Sequence, residues 1–190
     1  MRKEILPAVL LSLLCLFLFS GVYTTIVSSI GKLTPNKGQA EMIKDNQGHM
    51  MYANIAQKFT DDKYFWPRPS AVNYNAAGSA GSNKGPSNKE YLAAVQQRID
   101  TFMTHNPGIK KEDIHADMVT ASGSGLDPDI SIQSAMIQAA RIAKVRGIER
   151  IKVEHLIIEQ KEKPLLRLLG PEKINVLKLN IALDKLSDNK

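Results

Sequence analysis

Residues 5–31 have the sequence ILPAVLLSLLCLFLFSGVYTTIVSSIG, with no charged side chain between Glu4 and Lys32. At about 1.5 Å per residue, a helix over the hydrophobic part, residues 7–30, would be roughly 36 Å long. The hydrocarbon core of a bilayer is roughly 30 Å thick. The sequence therefore predicts a transmembrane helix over residues 7–30 that crosses the bilayer with some tilt.

Two processed forms compete with a retained span. A cleaved signal peptide has an apolar region of roughly 7–15 residues, which is shorter than this one, although Ser20 and Gly21 resemble a cleavage site. A lipoprotein anchor would use Cys15, but Leu13 and Leu14 precede it where small residues are expected. An uncut anchor therefore fits the length best.

The charges that flank the span do not decide its orientation. Arg2 and Lys3 lie on one side, and Lys32, Lys37 and Lys44 lie on the other. The two counts are nearly equal, and large domains cross membranes regardless of charge. The positive-inside rule therefore leaves the side of the soluble part open.

The rest of the chain is long enough for one domain with its own core. The chain carries a net charge of +6, and its charged residues are interspersed rather than clustered. Such a surface has a mild preference for anionic neighbours such as lipid headgroups, and we expect no nucleic-acid partner. Cys15 is the only cysteine, so the soluble part has neither disulfides nor a thiol nucleophile.

The pattern after the span predicts a mainly helical α+β fold with long ordered loops rich in Gly, Ser and Asn. Residues 31–63 are polar and weakly patterned, so we assign them to a connector and the start of the soluble domain, with a helix near residues 52–59. Residues 64–190 form the soluble domain. This domain organisation has one transmembrane helix at residues 7–30.

Local signals predict where the helices of this domain begin. Ser87 and Glu90 have the spacing of a capping box, and a helix that starts there should end at residues 107–108, which are Pro-Gly. A second helix is predicted over 131–146, because Gly147 is a suitable stop.

Two further elements follow. A third helix is predicted over 149–160. The tail at 174–186, INVLKLNIALDKL, is compatible with a strand running into a helical turn or with an entire helix, and its alternation favours the strand.

Two stretches rich in small residues interrupt these elements. Residues 64–88 have the sequence YFWPRPSAVNYNAAGSAGSNKGPSN, and residues 119–128 have the sequence VTASGSGLDP. Prolines and glycines exclude regular structure there. The first stretch nevertheless holds four aromatic residues, which favours an ordered loop packed on the domain.

Neither loop matches a catalytic motif. The glycines at 78–85 lack the spacing of a phosphate-binding P-loop, so a structural loop is favoured. Ser122 and Ser124 lack the first glycine of a nucleophile elbow. The four histidines are scattered and show no spacing typical of metal ligands.

Three aspartates remain open to two interpretations. Asp127 and Asp129, with the more distant Asp117, could form a carboxylate group for acid–base chemistry or a cation. The favoured interpretation is that Asp127 and Asp129 stabilise the positive end of the helix at 131–146. A membrane-tethered serine hydrolase that uses Ser122 or Ser124 with Asp127 and a histidine is the alternative function.

Small residues mark one face of the predicted span. Gly21, Thr25 and Ser28 fall together at helical spacing. Such residues let neighbouring membrane helices approach closely. We expect this face to pack against other membrane helices, although ordinary interfacial Ser and Thr residues would look the same.

Several blocks of the chain resemble the C subunit of the Kdp potassium-transporting ATPase. Their order and spacing agree with that family over nearly the entire chain, including the N-terminal span. The sequence departs from the family at GSAGSN, where SGGSN is more usual, and at AQKF (56–59), a weakened GQxF block. The matching blocks are YFWPRPSA (64–71), YNAAGSAGSNKGPSN (74–88), VTASGSGLDPDIS (119–131), AARIAKVRG (139–147) and INVLKLNIALD (174–184).

The resemblance implies a noncatalytic accessory subunit of a high-affinity, ATP-driven potassium uptake pump, needed for assembly and coupling. Its partners would be a channel-like potassium-binding subunit, a P-type ATPase subunit and a small membrane peptide. It would bind no cofactor itself, with ATP and potassium held by those partners. The resemblance also implies a single-pass protein of the cytoplasmic (inner) membrane with an extracytoplasmic C-terminal domain.

That location constrains the effect on ATP binding that the family is credited with. A domain outside the membrane cannot touch ATP that is bound inside, so its effect must be indirect, through preference for one state of the pump. A stand-alone anchored binding module is a further alternative.

The loops supply the candidate interface residues. We expect them to pack together or to dock on the extracytoplasmic face of the potassium-binding subunit, because Trp, Tyr and Arg are common interface anchors. Trp66 and Tyr74 could equally fill the core of the domain. The candidates are Trp66, Arg68, Tyr74, Asn75, Ser82, Asn83 and Asp127.

Overall fold

The computed structural model describes residues 2–34, 36–164 and 168–188. The chain divides into two compact units, one up to Glu41 and one from Met42 onward. Each unit has its own architecture.

The first unit is a long apolar helix. It consists of α1 (Arg2–Leu16), a π-helical segment (Phe17–Tyr23) and α2 (Thr24–Lys32). In the described part of the chain, Glu4–Lys32 is the one helix that is long and apolar enough to cross a membrane. Hydroxyl groups along it donate to carbonyls one turn earlier, as Thr25 Oγ1 does to Gly21 O at 2.7 Å, so they need no outside partner.

The second unit begins with a short hairpin. Strand β1 (Met42–Lys44) pairs with β2 (Met50–Tyr52) in antiparallel register, with Ile43 opposite Met51. Irregular backbone follows β2. The helix expected near residues 52–59 is therefore wrong: Tyr52 belongs to the hairpin, and Ala56 N donates to Leu126 O of the second loop at 2.9 Å rather than to a carbonyl one turn earlier.

Helix α3 (Lys89–His105) follows the first loop. Its N-cap is Asn88, whose side chain accepts a hydrogen bond from Tyr91 N at 2.9 Å. The expected capping box is wrong by one residue, because the third helical position is then Tyr91 and Glu90 binds Lys84 instead. The helix stops at His105, before the predicted Pro-Gly pair.

Two 3₁₀ turns, Lys111–Asp113 and Ala116–Met118, lead to the second loop. Strand β3 (Asp129–Ile130) then pairs with β4 (Ile174–Asn175). Helix α4 spans Ile132–Arg146 and α5 spans Arg150–Glu159. Both helices match their predictions, and Gly147 ends α4 at a φ of 61°, as a left-handed cap requires.

Helix α6 (Val176–Asp188) occupies the tail. The favoured strand is wrong beyond Asn175, because α6 is buried on nearly every face. Lys178 and Asn180 alternate with Leu177, Leu179 and Ile181, and this local alternation imitates the period of a strand. The side chain of Asn175 accepts a hydrogen bond from Lys178 N and so starts the helix.

The core lies where α5 packs against α4 and α6. Residues from the first loop and from α3 close it, and the resulting fold is mainly helical with few strands, which confirms the predicted α+β class. The most buried apolar side chains include Phe65, Phe102, Ile130, Ile142, Val153, Ile157, Ile174, Leu179 and Leu183.

Candidate functional site

Side-chain amides of two helices hold the backbone of the first loop. Asn180 of α6 accepts a hydrogen bond from Phe65 N at 2.9 Å and donates one to Phe65 O at 3.0 Å. Gln138 of α4 accepts a hydrogen bond from Trp66 N at 2.8 Å. Both amides are buried. They replace the strand partner that this stretch of backbone lacks, so its polar groups are satisfied in the core.

Arg141 adds a buried charge beside the Gln138 amide, and we call Gln138, Arg141 and Asn180 the polar framework of the first loop. Its Nε donates to Asn106 Oδ1 at 3.0 Å, and its Nη2 donates to Gln138 Oε1 at 2.8 Å. Its guanidinium carbon lies 4.8 Å from the centre of the Trp66 ring, a cation–π contact. Burial lowers the pKa of Arg141 to about 10, so the group stays charged at neutral pH.

Trp66 is half-buried and belongs partly to the core. Its ring meets Phe102 edge-on at 6.4 Å and lies 4.9 Å from the His105 ring. Its Nε1 donates to Asp61 O at 3.2 Å. The indole is therefore fixed in position, and its remaining surface faces a cleft beside α3.

Arg68 connects the first loop to the second. Its Nη1 donates to Asp127 Oδ2 at 2.7 Å, and both side chains keep about a quarter of their surface exposed. Tyr74 donates its hydroxyl to Arg68 O at 2.8 Å. Burial raises the pKa of Tyr74 to about 12, so the phenol keeps its proton at physiological pH.

The glycines of the two loops allow close backbone contact. Ser70 Oγ donates to Gly125 O at 2.7 Å, and Ala80 N donates to Ser124 O at 3.0 Å. A Cβ atom on Gly81 would lie 2.9 Å from Gly123 O, and one on Gly125, whose φ is +69°, would lie 2.6 Å from a methyl group. These glycines serve loop packing, as expected for a structural loop.

The structure brings together four of the seven candidate interface residues. They belong to the two loops, residues 64–88 and 119–128, which hydrogen bonds join to each other and which we call the joined loops. The four residues are Trp66, Arg68, Tyr74 and Asp127. The other three, Asn75, Ser82 and Asn83, are exposed on the outer part of the first loop. Asn75 accepts a hydrogen bond from Ala77 N at 3.0 Å, and Asn83 has a φ of +52°, a conformation that asparagine tolerates well.

The residues of the polar framework were not predicted from the sequence to be functionally important. Gln138, Arg141 and Asn180 each fall on a core-facing position of an otherwise apolar helix face. A buried polar side chain at such a position needs a partner. A polar residue at a core-facing position of an apolar helix face was therefore the signal in the sequence that could have identified them.

The three aspartates divide between ion pairs and the start of α4. Asp127 pairs with Arg68, and Asp129 pairs with Lys173 at 2.5 Å. Asp117 instead serves the start of α4, where it accepts hydrogen bonds from Ser131 N and from Ser134 Oγ. Burial alone would raise the pKa of Asp117, but these hydrogen bonds outweigh it and hold that pKa below its ordinary value.

The serines proposed for a hydrolase are differently placed. Ser122 is buried, with 3% of its surface exposed. Ser124 Oγ accepts a hydrogen bond from Leu126 N. Among the residues that the structure describes, no hydrogen bond joins either serine to a histidine, and no group of three His, Cys, Asp or Glu side chains could hold a metal ion.

The fold and its joined loops define a class of protein: a small helical domain with a fixed loop surface, in a chain that carries one candidate membrane span. A sequence model of the family described as "KdpC: K+-transporting ATPase, c chain" matches residues 5–185. The chain therefore belongs to the KdpC family, which confirms the resemblance.

Three relatives that match over nearly their whole length are each called "Potassium-transporting ATPase KdpC subunit". The chain is 52% identical to one from Flavobacterium johnsoniae over 184 residues, which cover 97% of this chain and 99% of the relative. It is 47% identical to one from Bacteroides fragilis over 98% of this chain and 99% of the relative. It is 42% identical to one from Geobacter sulfurreducens over 97% of this chain and 98% of the relative. The family associates the chain with potassium transport, and with the candidate span it indicates a single-pass membrane protein.

Proposed function

We propose that this chain is a noncatalytic accessory subunit of a high-affinity, ATP-driven potassium uptake pump, needed for its assembly and coupling. The family match over residues 5–185 carries the proposal. Its companions are a channel-like potassium-binding subunit, a P-type ATPase subunit and a small membrane peptide. ATP and potassium bind to those companions, and the membrane helix packs among theirs through Gly21, Thr25 and Ser28.

Deleting the chain tests this proposal. Cells that depend on the pump should stop growing at low external potassium and recover when the chain is restored. The companion subunits, purified without the chain, should come apart more easily in detergent. Normal uptake without the chain would contradict the accessory role.

We place the soluble domain outside the cytoplasmic membrane. A domain there is separated by roughly 30 Å of hydrocarbon from ATP bound inside. Its effect on nucleotide binding must then be indirect, with the domain binding one conformation of the pump more tightly than another. The size of that effect is limited by the difference between those two affinities.

Labelling of single cysteines tests the location. In a Cys15→Ser background, cysteines near Lys32 and Lys185 should react with a membrane-impermeant reagent in intact cells. Labelling only after the cells are broken open would place the domain inside and permit direct contact with the ATPase subunit.

The joined loops are the surface that we assign to docking on the potassium-binding subunit. The fixed Trp66, Arg68 and Tyr74 side chains support this role, since rigid aromatic and Arg side chains lose little entropy on binding. Asp127 holds Arg68 in place. Replacing Arg68 and Tyr74 with Ala should reduce co-purification of the pump. Arg150→Ala, which removes an exposed pair with Glu154 in α5, is the matched control.

A further inference from the structure

A cleft of about 420 Å³ lies between α3 and the first loop. Its walls are largely aromatic. On the α3 side it is bordered by Arg98 and Thr101. The aromatic and proline side chains that line it are Phe59, Trp66, Pro67, Pro69, Tyr74 and Phe102.

Arg98 gives this cleft its charge. Its Nη1 donates to Val119 O at 2.9 Å, and it is close enough to Tyr74 to influence that phenol electrostatically. Among the described residues, no carboxylate lies within 4 Å of its guanidinium. The other arginines of the domain whose side chains the structure describes each have a carboxylate within that distance: Arg68, Arg141, Arg146 and Arg150.

A half-buried guanidinium without a carboxylate partner, next to aromatic walls, fits a ligand with two parts. One part is an apolar or aromatic side chain that fills the space between the rings. The other is a carboxylate that pairs with Arg98, which can bind it through two parallel hydrogen bonds. The net charge of +6 on the chain also favours an acidic partner.

We propose that this Trp66–Arg98 cleft receives an acidic peptide segment of a companion subunit, with an apolar side chain between the rings and a carboxylate on Arg98. The inference rests on the proposed function and specifies which face of the domain makes the contact. Aromatic side chains beside an arginine in a cleft are typical of an interface hot spot.

Two threonines of α3 provide a matched pair for the test. Thr101 lines the cleft and Thr104 does not. Both are exposed, and each donates its hydroxyl to the carbonyl one turn earlier at 2.8 Å. Trp at position 101 would fill the cleft, whereas Trp at position 104 would project from the same helix elsewhere.

The pump is purified through a tag on a companion subunit, and the amount of this chain retained is measured. We expect Thr101→Trp to lower retention by about tenfold, equivalent to about 1.4 kcal/mol, and Thr104→Trp to match the wild type. Equal retention of the two variants would overturn the cleft proposal while leaving the accessory role intact. Failure of the wild-type chain to co-purify would overturn both.

A charge variant covers the case in which Thr101→Trp misfolds. Arg98→Glu should lower retention more than Arg98→Gln, which can still donate a hydrogen bond to Val119 O. Equal effects of the two would argue against a carboxylate partner.

Photo-crosslinking from position 101 identifies the occupant. In the intact complex, a benzoylphenylalanine there should link to an acidic segment of a companion subunit. Links only to a second copy of this chain, only to lipid, or to no protein would each contradict the proposal.

Discussion

Gln138 lies at the point where the first loop meets α4. Its Oε1 accepts hydrogen bonds from Trp66 N and from Arg141 Nη2, and its Nε2 donates to Ser134 O at 3.0 Å. The side chain is completely buried. One amide therefore satisfies a loop N–H and orients a buried guanidinium, so its loss affects both.

Gln138→Leu should lower the free energy of unfolding of the full chain in detergent by about 2–4 kcal/mol, because each buried donor left without an acceptor costs roughly 1–3 kcal/mol. Gln133→Leu is the control, since Gln133 is exposed on the same helix. Urea unfolding followed by circular dichroism measures both. Similar values for the two variants would contradict the role given to Gln138.

Asp117 contributes stability that depends on pH. Its folded pKa lies below the ordinary value of 3.8, so the unfolded state binds its proton more tightly. The contribution is complete above the unfolded pKa and is lost as the pH falls through the folded one. Wild-type protein should thus lose more stability than Asp117→Asn between pH 5 and the acid limit of folding. Parallel losses, measured by thermal melts across that range, would contradict the assignment.

At the scale of elements, the loops are held by close approach of backbone to backbone. Gly125 has a φ of +69°, and a Cβ there would lie 2.6 Å from the Val72 side chain and 2.9 Å from Ala80 O. Gly123, two residues earlier, has nothing within 4 Å of its Cβ position. The two glycines have different roles although they belong to one repetitive stretch.

Gly125→Ala should destabilise the domain by about 1–3 kcal/mol, since it combines a strained backbone with a steric clash. Gly123→Ala should change stability by less than about 0.5 kcal/mol, as is usual for open positions. A shift in melting temperature confined to Gly125→Ala would support the loop packing. Equal shifts would argue against it.

Sequence patterns predicted α4 because Gly147 gives a clear stop signal, and the range predicted for α5 also agrees with the structure. They also predicted that residues 64–88 and 119–128 are loops, from proline and glycine content. Helix α6 was only the less favoured alternative, because Leu177, Leu179 and Ile181 alternate with polar residues as in a strand. The contacts between the loops are set by residues far apart in the chain, such as Ser70 with Gly125, and local patterns carry no information on them.

At the scale of the whole molecule, residue type and composition selected four residues that the structure brings together, and their role in an interface stays a prediction. The buried polar residues Gln138, Arg141 and Asn180 that hold the first loop were not predicted, although their positions on apolar helix faces were a signal. Which backbone groups they bind is set by the assembled core. The same holds for Arg98, whose lack of a carboxylate partner is a property of the fold.

The hydrogen bonds from Asn180 to Phe65 join residues 115 positions apart, and the side chain of Asn175 reaches Ala53 O across 122 positions. During synthesis from the N-terminus, the first loop therefore emerges long before its amide partners do. A chain truncated before α6 would leave the loop backbone unsatisfied and its aromatic surface misplaced. The loop surface can therefore take its final form only after α6 has been synthesised and packed, so folding of residues 64–88 is postponed until Val176–Asp188 is available.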